Sequence, residues 1–544
     1  MCSSTGNAPK PQYSRTFAVI VTSVCCLLLA GRLARADGTD AARCQAIHRI
    51  DVSRVIDAPS VIDEAKPVEG TNDAPAYCQI SGYVAPTFGF LIRLPRDHWN
   101  GKLVEIGCGG LCGSTDHIGK CDDPLSRGYA CVVSDGGHHS RSSDANWAYN
   151  NVSAIIDYLV GASHVTALIA KTIVEDYYRE APKKSYFMGC SAGGEQAMME
   201  AQRFPWDFDG IVAGQPTSET LDDMSLLWGN RILMGKGREP ILNYADLQIL
   251  HAAVVAKCDI NDGIRDGLIG DPRTCDFDPS TLLCSSTKKT ACLTSKQIEV
   301  ARNLYAGPTT SRGKSISQSG AMRGSELTWL QVYGGSAEEA LGTYHFAGEP
   351  FRYYTFQPSP GPSWKPEDFD FDRDYKRMGM AEGLISAINP DLRQFKAAGA
   401  KLLAYAGWSD ALGLPMSAVD YYETAEKTMG GQAQTQDFFR LFMIPGMNHC
   451  TLGEGAFAVD YLSYLDAWVE KGQKPDKLIG SHVRLDGLDL KTSGASADIQ
   501  RRLRFPLDRE AVQFTRPIYP YPTLTQFSGH GDPNDAANFT AVDP

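Results

Sequence analysis

The sequence lacks three features: paired C-x-x-C motifs, an excess of basic residues, and a long apolar run outside its N-terminus. Zinc-binding modules commonly use paired C-x-x-C motifs, so the cysteines of this chain do not indicate zinc. The formal charge of −12 argues against nucleic acid as a partner, because phosphate contacts need a basic surface. A membrane span needs about 20 apolar residues. We therefore expect no stable membrane insertion of the mature protein.

Residues 1–36 have the pattern of an export signal. Lys10 and Arg15 precede an apolar run from Phe17 to Ala30, and Ala34-Arg35-Ala36 provides a small-x-small cleavage site. The segment carries four basic residues and no acid, so its removal changes the formal charge from −12 to −16. The pattern predicts a secreted or periplasmic protein.

Twelve cysteines remain after the predicted signal, and twelve is an even number. In an exported protein this count predicts up to six disulfides. The spacing leaves the pairing open, in particular among the four cysteines between residues 108 and 131. The twelve are Cys44, Cys78, Cys108, Cys112, Cys121, Cys131, Cys190, Cys258, Cys275, Cys284, Cys292 and Cys450.

Five short apolar segments end abruptly in glycine-rich or polar turns, which is typical of buried parallel strands. Helical patterns lie among them, at 151–179 and 191–203, whereas the proline-rich tail after about residue 505 predicts irregular structure. The alternation predicts an α/β fold with a doubly wound, mostly parallel sheet. The predicted strands are 102–107, 129–134, 185–189, 401–406 and 439–445.

One long segment, 218–388, interrupts this alternation. It contains four cysteines and an aromatic run at 350–356, and it separates two groups of predicted strands. We interpret it as an inserted domain. Residues 37–217 and 389–544 are then the two parts of the α/β domain from which it projects.

The motif Gly189-Cys190-Ser191-Ala192-Gly193 matches the G-x-S-x-G pattern of serine hydrolases. The pattern is frequent by chance, but here it follows a predicted strand and precedes a predicted helix. In that position the glycines permit a sharp turn that exposes the serine hydroxyl, and the N–H of Ala192 can face a developing oxyanion. The motif predicts Ser191 as a nucleophile.

An acid and a histidine follow the serine in the order that an α/β hydrolase requires. Asp410 follows the strand 401–406, and His449 follows the strand 439–445. Taken singly, they can be a solvated turn aspartate and a loop histidine. Together they predict a triad in which His449 removes the serine proton and Asp410 orients the imidazole.

A second oxyanion donor is expected from the loop after an earlier strand. Gly107-Cys108-Gly109-Gly110 follows residues 102–106 of the predicted strand and is rich in glycine, so Gly109 or Gly110 is the predicted donor beside Ala192. The alternative interpretation is a tight turn without a catalytic role.

The serine and the histidine each stand next to a cysteine, and three longer segments occur with them. This set of features is highly specific. These features are Cys190-Ser191, Asp410, His449-Cys450, and the segments 132–139 (VVSDGGHH), 198–214 (MMEAQRFPWDFDGIVAG) and 368–374 (DFDFDRD). Through them the chain resembles the tannase and feruloyl esterase family, which also contains a hydrolase of mono(hydroxyethyl) terephthalate. The resemblance spans nearly the whole mature chain.

The resemblance implies an α/β-hydrolase core with a large lid, residues 218–388, inserted after the nucleophile. It also implies a serine carboxylester hydrolase that forms an acyl-enzyme, needs no organic cofactor and acts on small aromatic esters of the gallate, ferulate or terephthalate type. A bond between Cys190 and Cys450 is a further implication. Cys108 departs from the family, in which glycine is usual at that position.

Residues 258–275 alternate acids and glycines closely enough to wrap a hard cation, and calcium fits best. The segment is not an EF-hand, because Gly263 and Gly270 occupy two ligand positions of that motif. The resemblance implies a structural calcium loop in the lid, and the alternative is an acidic surface turn. The implied ligands are the side chains of Asp259, Asp262 and Asp266 and the carbonyls of Ile264 and Leu268.

Two questions stay open at the level of sequence. The aromatic run can line a pocket for a flat acyl group, or it can belong to a core, as strings of aromatic residues more often do. The second question is the function. The same triad would serve a hydrolase of other esters or lactones, or an acyl transferase. A non-catalytic protein that binds phenolics or carbohydrates, or a disulfide-rich envelope protein, would not need a triad. The residues of the run are Phe351, Tyr353, Tyr354 and Phe356.

Overall fold

A computed structural model describes most of the chain from residue 40 onward. The predicted export signal, residues 1–36, therefore lies outside the described residues. The described range is 40–544, except for 72–73, 87, 217–218, 237–238, 288, 318, 336–342, 379–382, 384–385, 487–498 and 500–501.

The largest sheet has nine strands in the order β1-β2-β3-β5-β4-β6-β7-β8-β9. Strands β4 to β9 pair in parallel, and β1, β2 and β3 extend the sheet antiparallel from β5. The strands are β1 Ser60–Val68, β2 Tyr77–Val84, β3 Phe88–Pro95, β4 Lys102–Ile106, β5 Ala130–Ser134, β6 Lys184–Cys190, β7 Gly210–Gly214, β8 Lys401–Gly407, β9 Phe439–Ile444, β10 Leu478–Val483, β11 Val512–Ile518, β12 Leu524–Phe527 and β13 Phe539–Val542.

Helices cover both faces of this sheet, as the alternation in sequence predicts. Consecutive residues of β6 point to opposite faces, so Phe187 packs in one core with Ala197 and Tyr186 packs in another with Leu465. Among the described α-helices are α1 Asp122–Ser126, α2 Val152–Ile156, α3 Ala162–Tyr178, α4 Ala192–Arg203, α5 Glu219–Met234, α6 Tyr244–Cys258, α7 Ser295–Ala306, α8 Trp329–Tyr333, α9 Thr343–Tyr353, α10 Arg393–Ala397, α11 Pro415–Met429, α12 Gln432–Gln436 and α13 Tyr461–Lys471. The predicted α/β-hydrolase fold is confirmed.

Between β7 and β8 the chain leaves the sheet and forms the insertion with α5 to α9, before α10 packs Phe395 against the sheet. Most of this insertion packs around a hydrophobic core of its own, in which Trp329, Phe351 and Phe356 are fully buried. The insertion begins only two elements after Ser191, so it stands beside the end of the sheet at which the serine lies.

Several strands were not predicted. Strand β2 alternates half-buried and buried residues, which is the pattern of a strand covered on one face. Such a strand contains no continuous apolar run, so it lacks the pattern by which the other strands were predicted. The prediction of an irregular tail after residue 505 is wrong, because β11 pairs with β10 and β12 pairs with β13.

The expectation that no segment after the N-terminus could span a membrane also needs correction. The helical stretch Val152–Tyr178 is long and apolar enough by composition, with a mean hydropathy of 1.6. It contains a π-helical turn at Asp157–Gly161, and Ile169, Ile173 and Tyr177 of α3 are fully buried in the core under β1 to β5. Its apolar residues are therefore those of a helix packed on the sheet.

Candidate active site

Ser191 occupies the sharp turn between β6 and α4. Its backbone has φ 63° and ψ −128°, a region that residues other than glycine rarely adopt and that costs about 1–3 kcal/mol. The turn is held by hydrogen bonds: the N–H of Ser191 donates to Gly214 O at 3.1 Å, and the N–H of Gly194 donates to Ser191 O at 2.7 Å. This conformation projects the serine side chain beyond the end of the sheet.

The glycines of the G-x-S-x-G motif are required by close packing. A Cβ on Gly189 would lie 2.2 Å from Gly193 O, and a Cβ on Gly193 would lie 2.8 Å from Cys108 O. Real Cβ atoms do not approach backbone oxygens so closely. The motif therefore brings the start of α4 into direct contact with the glycine-rich loop after β4.

His449 lies on the loop after β9 and is held by Asp410, which lies after β8. The distance from His449 Nδ1 to Asp410 Oδ2 is 2.7 Å, and Asp410 is fully buried. The other carboxylate oxygen, Oδ1, accepts hydrogen bonds from the N–H groups of Leu412 and Gly413 at 2.8 and 3.0 Å. These bonds fix the carboxylate, and because Nδ1 is paired with Asp410, Nε2 is the ring nitrogen left for other contacts.

The pKa of His449 is raised above its ordinary value. Burial alone would lower this pKa, but the charge and hydrogen bond of Asp410 outweigh burial, and Asp222 adds a smaller contribution. The imidazolium that forms when His449 accepts a proton is therefore stabilised.

Ser191 and His449 line the same small cavity, with an accessible volume of about 40 Å³. Gly110 and Ala192 line it as well. In the described part of the chain, the N–H groups of Gly110 and Ala192 donate to no protein acceptor. Both are thus available to an oxyanion beside Ser191, whereas Gly109, the other predicted donor, is not among the lining residues.

The glycine-rich loop after β4 is fixed from three sides. Cys108 is bonded to Cys112, and its N–H donates to Oε1 of Gln196, a residue of α4, at 3.2 Å. The hydroxyl of Tyr158 donates to Gly110 O at 3.3 Å. The disulfide and the two hydrogen bonds thus hold Cys108 and Gly110 in place beside the start of α4.

The twelve cysteines of the predicted mature chain form six disulfides. One of them joins Cys190 to Cys450, with their Cα atoms 5.9 Å apart, and so ties the turn of Ser191 to the loop of His449. The other five pairs are Cys44 with Cys78, Cys108 with Cys112, Cys121 with Cys131, Cys258 with Cys275, and Cys284 with Cys292.

The insertion also holds the loop of His449. His251 of α6 lies 2.8 Å from buried Glu326 through Nδ1 and 3.4 Å from Glu454 through Nε2. Burial lowers the pKa of His251, but the two carboxylates outweigh burial and raise it to about 9. At neutral pH an imidazolium therefore links the insertion to Glu454, five residues after His449.

Most residues of the cavity wall are not predicted from the sequence. Three acids line it, Glu195 on α4 and Asp222 and Asp223 on α5, and the aromatic residues are Tyr158 and Phe346. Apart from Glu195, which lies one turn after Ser191, nothing in their spacing relates them to the serine, because three other elements carry them: the π-helical turn Asp157–Gly161, α5 and α9. The described lining contains no lysine or arginine.

The aromatic run at 350–356 does not contribute to this cavity. Phe351 and Phe356 belong to the core of the insertion, and Tyr353 and Tyr354 pack in a smaller core with Cys108, Leu111 and Cys112. The core interpretation of the run therefore describes the structure, and the pocket interpretation does not.

The acidic loop 258–275 is closed by its disulfide and holds its carboxylates close together. Asp259 accepts N–H bonds from Asp266 and Gly267, and Asp266 also pairs with Arg516 at 2.6 Å. Burial, then the charges of Asp266 and Asp259, raise the pKa of Asp262 to about 7. No three acidic, histidine or cysteine side chains converge on one point within the described residues. Asp266 is paired with Arg516, whereas the described residues place no basic side chain in an ion pair with Asp259 or Asp262, and the calcium ligand set stays a prediction.

Comparisons with known proteins agree with this geometry. A family model described as tannase and feruloyl esterase matches residues 73–542. A mono(2-hydroxyethyl) terephthalate hydrolase of Piscinibacter sakaiensis is 30% identical over 563 residues, covering 91% of this chain and 89% of the relative. An esterase of Xanthomonas campestris pv. campestris is 31% identical over 537 residues, covering 90% of this chain and 89% of the relative. The crystal structure of feruloyl esterase B from Aspergillus oryzae has the same fold, with a TM-score of 0.78 at 24% identity over 92% of this chain and 100% of that one.

Proposed function

Because the chain belongs to the tannase and feruloyl esterase family, we propose that it hydrolyses esters of aromatic carboxylic acids through an acyl-enzyme on Ser191. Its membership makes it a carboxylic ester hydrolase. One observation carries the finer proposal: Ser191, His449, Gly110 and Ala192 line a single cavity, with Asp410 buried behind the histidine.

In the proposed reaction, Ser191 Oγ attacks the ester carbonyl while His449 Nε2 accepts the hydroxyl proton. The N–H groups of Gly110 and Ala192 stabilise the tetrahedral oxyanion, and the positive end of α4 adds to this. His449 then donates its proton to the departing alcohol. Water, activated by the same imidazole, releases the acid from Ser191.

The charges in the cavity favour a phenolic acyl group over one with a second carboxylate. Tyr158 and Phe346 provide aromatic contacts for a flat ring, and Glu195, Asp222 and Asp223 place acidic groups around it. Phenolic hydroxyls donate hydrogen bonds to carboxylates, whereas an anionic substituent is repelled by them. A gallate- or ferulate-like ester therefore fits this wall better than a terephthalate half-ester.

A substrate panel tests the proposal. Acid release from methyl gallate, methyl ferulate, mono(hydroxyethyl) terephthalate and a short 4-nitrophenyl ester is followed by chromatography under identical conditions. Among the three esters of aromatic acids, we expect the highest kcat/KM for one of the two phenolic methyl esters. Preference for the terephthalate half-ester would refute the charge argument, and turnover of the 4-nitrophenyl ester alone would refute the aromatic class.

The pH dependence of kcat/KM should show an acid limb with a midpoint above 6.5. His449 must be neutral to accept the serine proton, and the Asp410 carboxylate raises its pKa in the folded enzyme above the ordinary value. Activity is therefore lost as the pH falls through that raised pKa. The measurement is kcat/KM for a soluble aryl ester from pH 5 to 9, and a flat profile would contradict His449 as the base.

Replacing both Cys190 and Cys450 by alanine should lower kcat by about 10²-fold while the far-ultraviolet circular dichroism stays unchanged. The bond keeps the imidazole within reach of the serine, and displacement of a catalytic group by about 1 Å can cost that much. Loop entropy gives about 5 kcal/mol as an upper limit for its contribution to stability.

The matched control is the double replacement of Cys284 and Cys292, which removes a disulfide from the insertion. It should retain kcat near the wild-type value. An equal loss of kcat in both double variants would show that stability alone is responsible, and this would contradict the positioning role of the Cys190–Cys450 bond.

We also propose a structural calcium ion in the acidic loop, held by Asp259 and Asp262 with carbonyls of Ile264 and Leu268. Binding by Asp266 would require it to release Arg516. Such an ion would neutralise the crowded carboxylates and stabilise the insertion without taking part in the reaction.

Calcium should therefore raise the melting temperature of protein dialysed against chelator, because it binds the folded loop in preference to the unfolded chain. Asp262→Ala should remove the increase, whereas Asp276→Ala, at an exposed acid just beyond the loop, should retain it. Calcium-free protein whose melting curve does not respond to the ion would rule out the site.

The proposed location is outside the cytoplasm, in a periplasm or in the medium. Six disulfides are typical of proteins that fold in an oxidising compartment. N-terminal sequencing of the exported protein should begin just after residue 36.

A further inference from the structure

The loop that carries His449 has a strained backbone. This histidine loop, residues 445–455, contains Cys450 and Leu452 with φ of 64° and 65°, a left-handed conformation that residues other than glycine rarely adopt. Such a conformation persists only where the surrounding structure enforces it. The disulfide to Cys190 holds the loop at Cys450, and other contacts hold the rest of it.

Two hydrogen bonds join the end of the histidine loop to its beginning. The N–H of Gly455 donates to Gly446 O at 3.1 Å. The N–H of Asn448 donates to Leu452 O at the same distance. Glu454 lies between these two bonds along the chain. A contact that holds Glu454 therefore also holds the residue directly before the histidine.

Glu454 is contacted by the insertion through His251 of α6. Nε2 of His251 lies 3.4 Å from Glu454 Oε2, and Nδ1 lies 2.8 Å from Glu326 Oε2. Glu326 is fully buried, and its other oxygen accepts hydrogen bonds from the Tyr305 hydroxyl at 2.7 Å and from the Gly324 N–H at 2.8 Å. The Glu326 carboxylate is thus fixed, and it sets the orientation of the imidazole.

The contact with Glu454 depends on the charge of the imidazole. A neutral imidazole has one N–H, and Nδ1 of His251 donates it to the Glu326 carboxylate. Nε2 then has no hydrogen and faces a second carboxylate as an acceptor, so only the imidazolium can donate to both acids. Burial lowers the pKa of His251, but the two carboxylates outweigh burial and raise it to about 9. The contact is therefore present at neutral pH and is lost as the pH rises through about 9.

Two further titratable or charged groups lie at this junction. Burial raises the pKa of Tyr305 well above its ordinary value, so its hydroxyl keeps its proton and continues to donate to Glu326. The guanidinium of Arg323 lies 4.8 Å from the centre of the Tyr305 ring and donates to Phe277 O, and it stays charged throughout. Among these groups, His251 is the one whose charge changes between pH 7 and 10.

Neither His251 nor Glu454 is among the described residues that line the active-site cavity, so neither is placed to contact the ester. We propose that both are positioning residues, which hold the histidine loop so that the imidazole of His449 stays within reach of Ser191. This role rests on the proposed function, in which His449 is the base. Because acylation and deacylation both use this imidazole, a displaced loop lowers kcat whichever step limits the rate.

Glu454→Ala is the first test, because it removes the contact and leaves the buried pair of His251 and Glu326 intact. At pH 7 we expect kcat to fall by about fivefold, the effect of a modest ion pair, with KM little changed. Glu299→Ala is the matched control and should retain the wild-type kcat. Glu299 lies on α7 and pairs with Lys296, and its side chain is 58% exposed, compared with 57% for Glu454.

The pH dependence of this loss separates positioning from a general loss of stability. The ratio of wild-type kcat to that of Glu454→Ala should fall from about five at pH 7 to about one at pH 10.5, with its midpoint near the pKa of His251. The ratio cancels the effect of other groups that titrate in both proteins. The acid limb assigned to His449 should not move, since its raised pKa is caused by Asp410 and Asp222.

A second variant tests whether the two residues act through one contact. His251→Gln should abolish the dependence of kcat on the acid at position 454, so that adding Glu454→Ala changes kcat no further. Melting curves establish that each variant is folded. A further loss of kcat in the folded double variant would overturn the link between His251 and Glu454.

Hydrogen exchange tests the contact without any ester. At pH 7 the amides of residues 446–455 should exchange faster in Glu454→Ala than in the wild type or in Glu299→Ala. This result does not depend on turnover, so a failure of the proposed function would leave it unaffected. Three results would overturn the proposal: equal kcat in the wild type and Glu454→Ala at pH 7, a kcat ratio that does not change with pH, and unchanged exchange of the loop.

Discussion

Ser191→Ala is expected to abolish ester turnover, with a loss of about 10⁴–10⁶ in kcat. The variant removes the only atom that forms the proposed acyl-enzyme, while His449, Asp410 and the two N–H donors stay in place. Alanine accepts the backbone conformation of position 191 no worse than serine, so the melting temperature should change little. Activity on the best ester of the panel is the measurement.

Two outcomes separate a catalytic from a structural role of Ser191. Folded protein without activity, still able to bind the acid product, supports the nucleophile. Folded protein with more than a few per cent of wild-type kcat would contradict it, because no neighbouring hydroxyl is placed at the turn between β6 and α4.

Asp410→Asn is expected to reduce kcat by about 10²–10⁴-fold. Asparagine can still accept the N–H bonds of Leu412 and Gly413, so the loop after β8 should keep its shape. What is lost is the negative charge that fixes the tautomer of His449 and stabilises its protonated form. Kinetics on the same ester give the magnitude.

The pH profile of this variant provides a second readout that a structural role would not affect. The Asp410 carboxylate is the main reason that the pKa of His449 is raised. Its removal should therefore move the acid limb of the remaining activity to lower pH. A loss of activity without this shift would mean that Asp410 acts through the shape of its loop.

The sequence predicts those parts of the fold that have a local pattern. Most central strands are continuous apolar runs because both of their faces are covered, and such runs are visible without the structure. Strand β7 is equally buried, but it is absent from the predicted strands because only three apolar residues stand between its two glycines. Strands β1 to β3 lie towards the edge of the sheet, where alternation replaces the apolar run. Strands β10 to β13 are not predicted, because the proline-rich segments around them indicate irregular structure.

The candidate site divides in the same way. Ser191, Asp410 and His449 are found because each follows a strand in a fixed order, and Ala192 is the next residue after the serine. Asp222, Phe346 and Glu454 come from the insertion or from loops, and only the tertiary fold brings them to the cavity or to the histidine loop. Local spacing contains no signal for such contacts.

Covalent trapping on Ser191 tests the central claim most directly. The 4-nitrophenyl ester of ferulic acid has a good leaving group, so acylation should outpace hydrolysis and the acyl-enzyme should accumulate. Rapid mixing should release one equivalent of 4-nitrophenolate in a burst, and acid-quenched protein should gain the mass of one feruloyl group on the peptide that contains Ser191. Turnover without any adduct, or an adduct on another residue, would contradict the account.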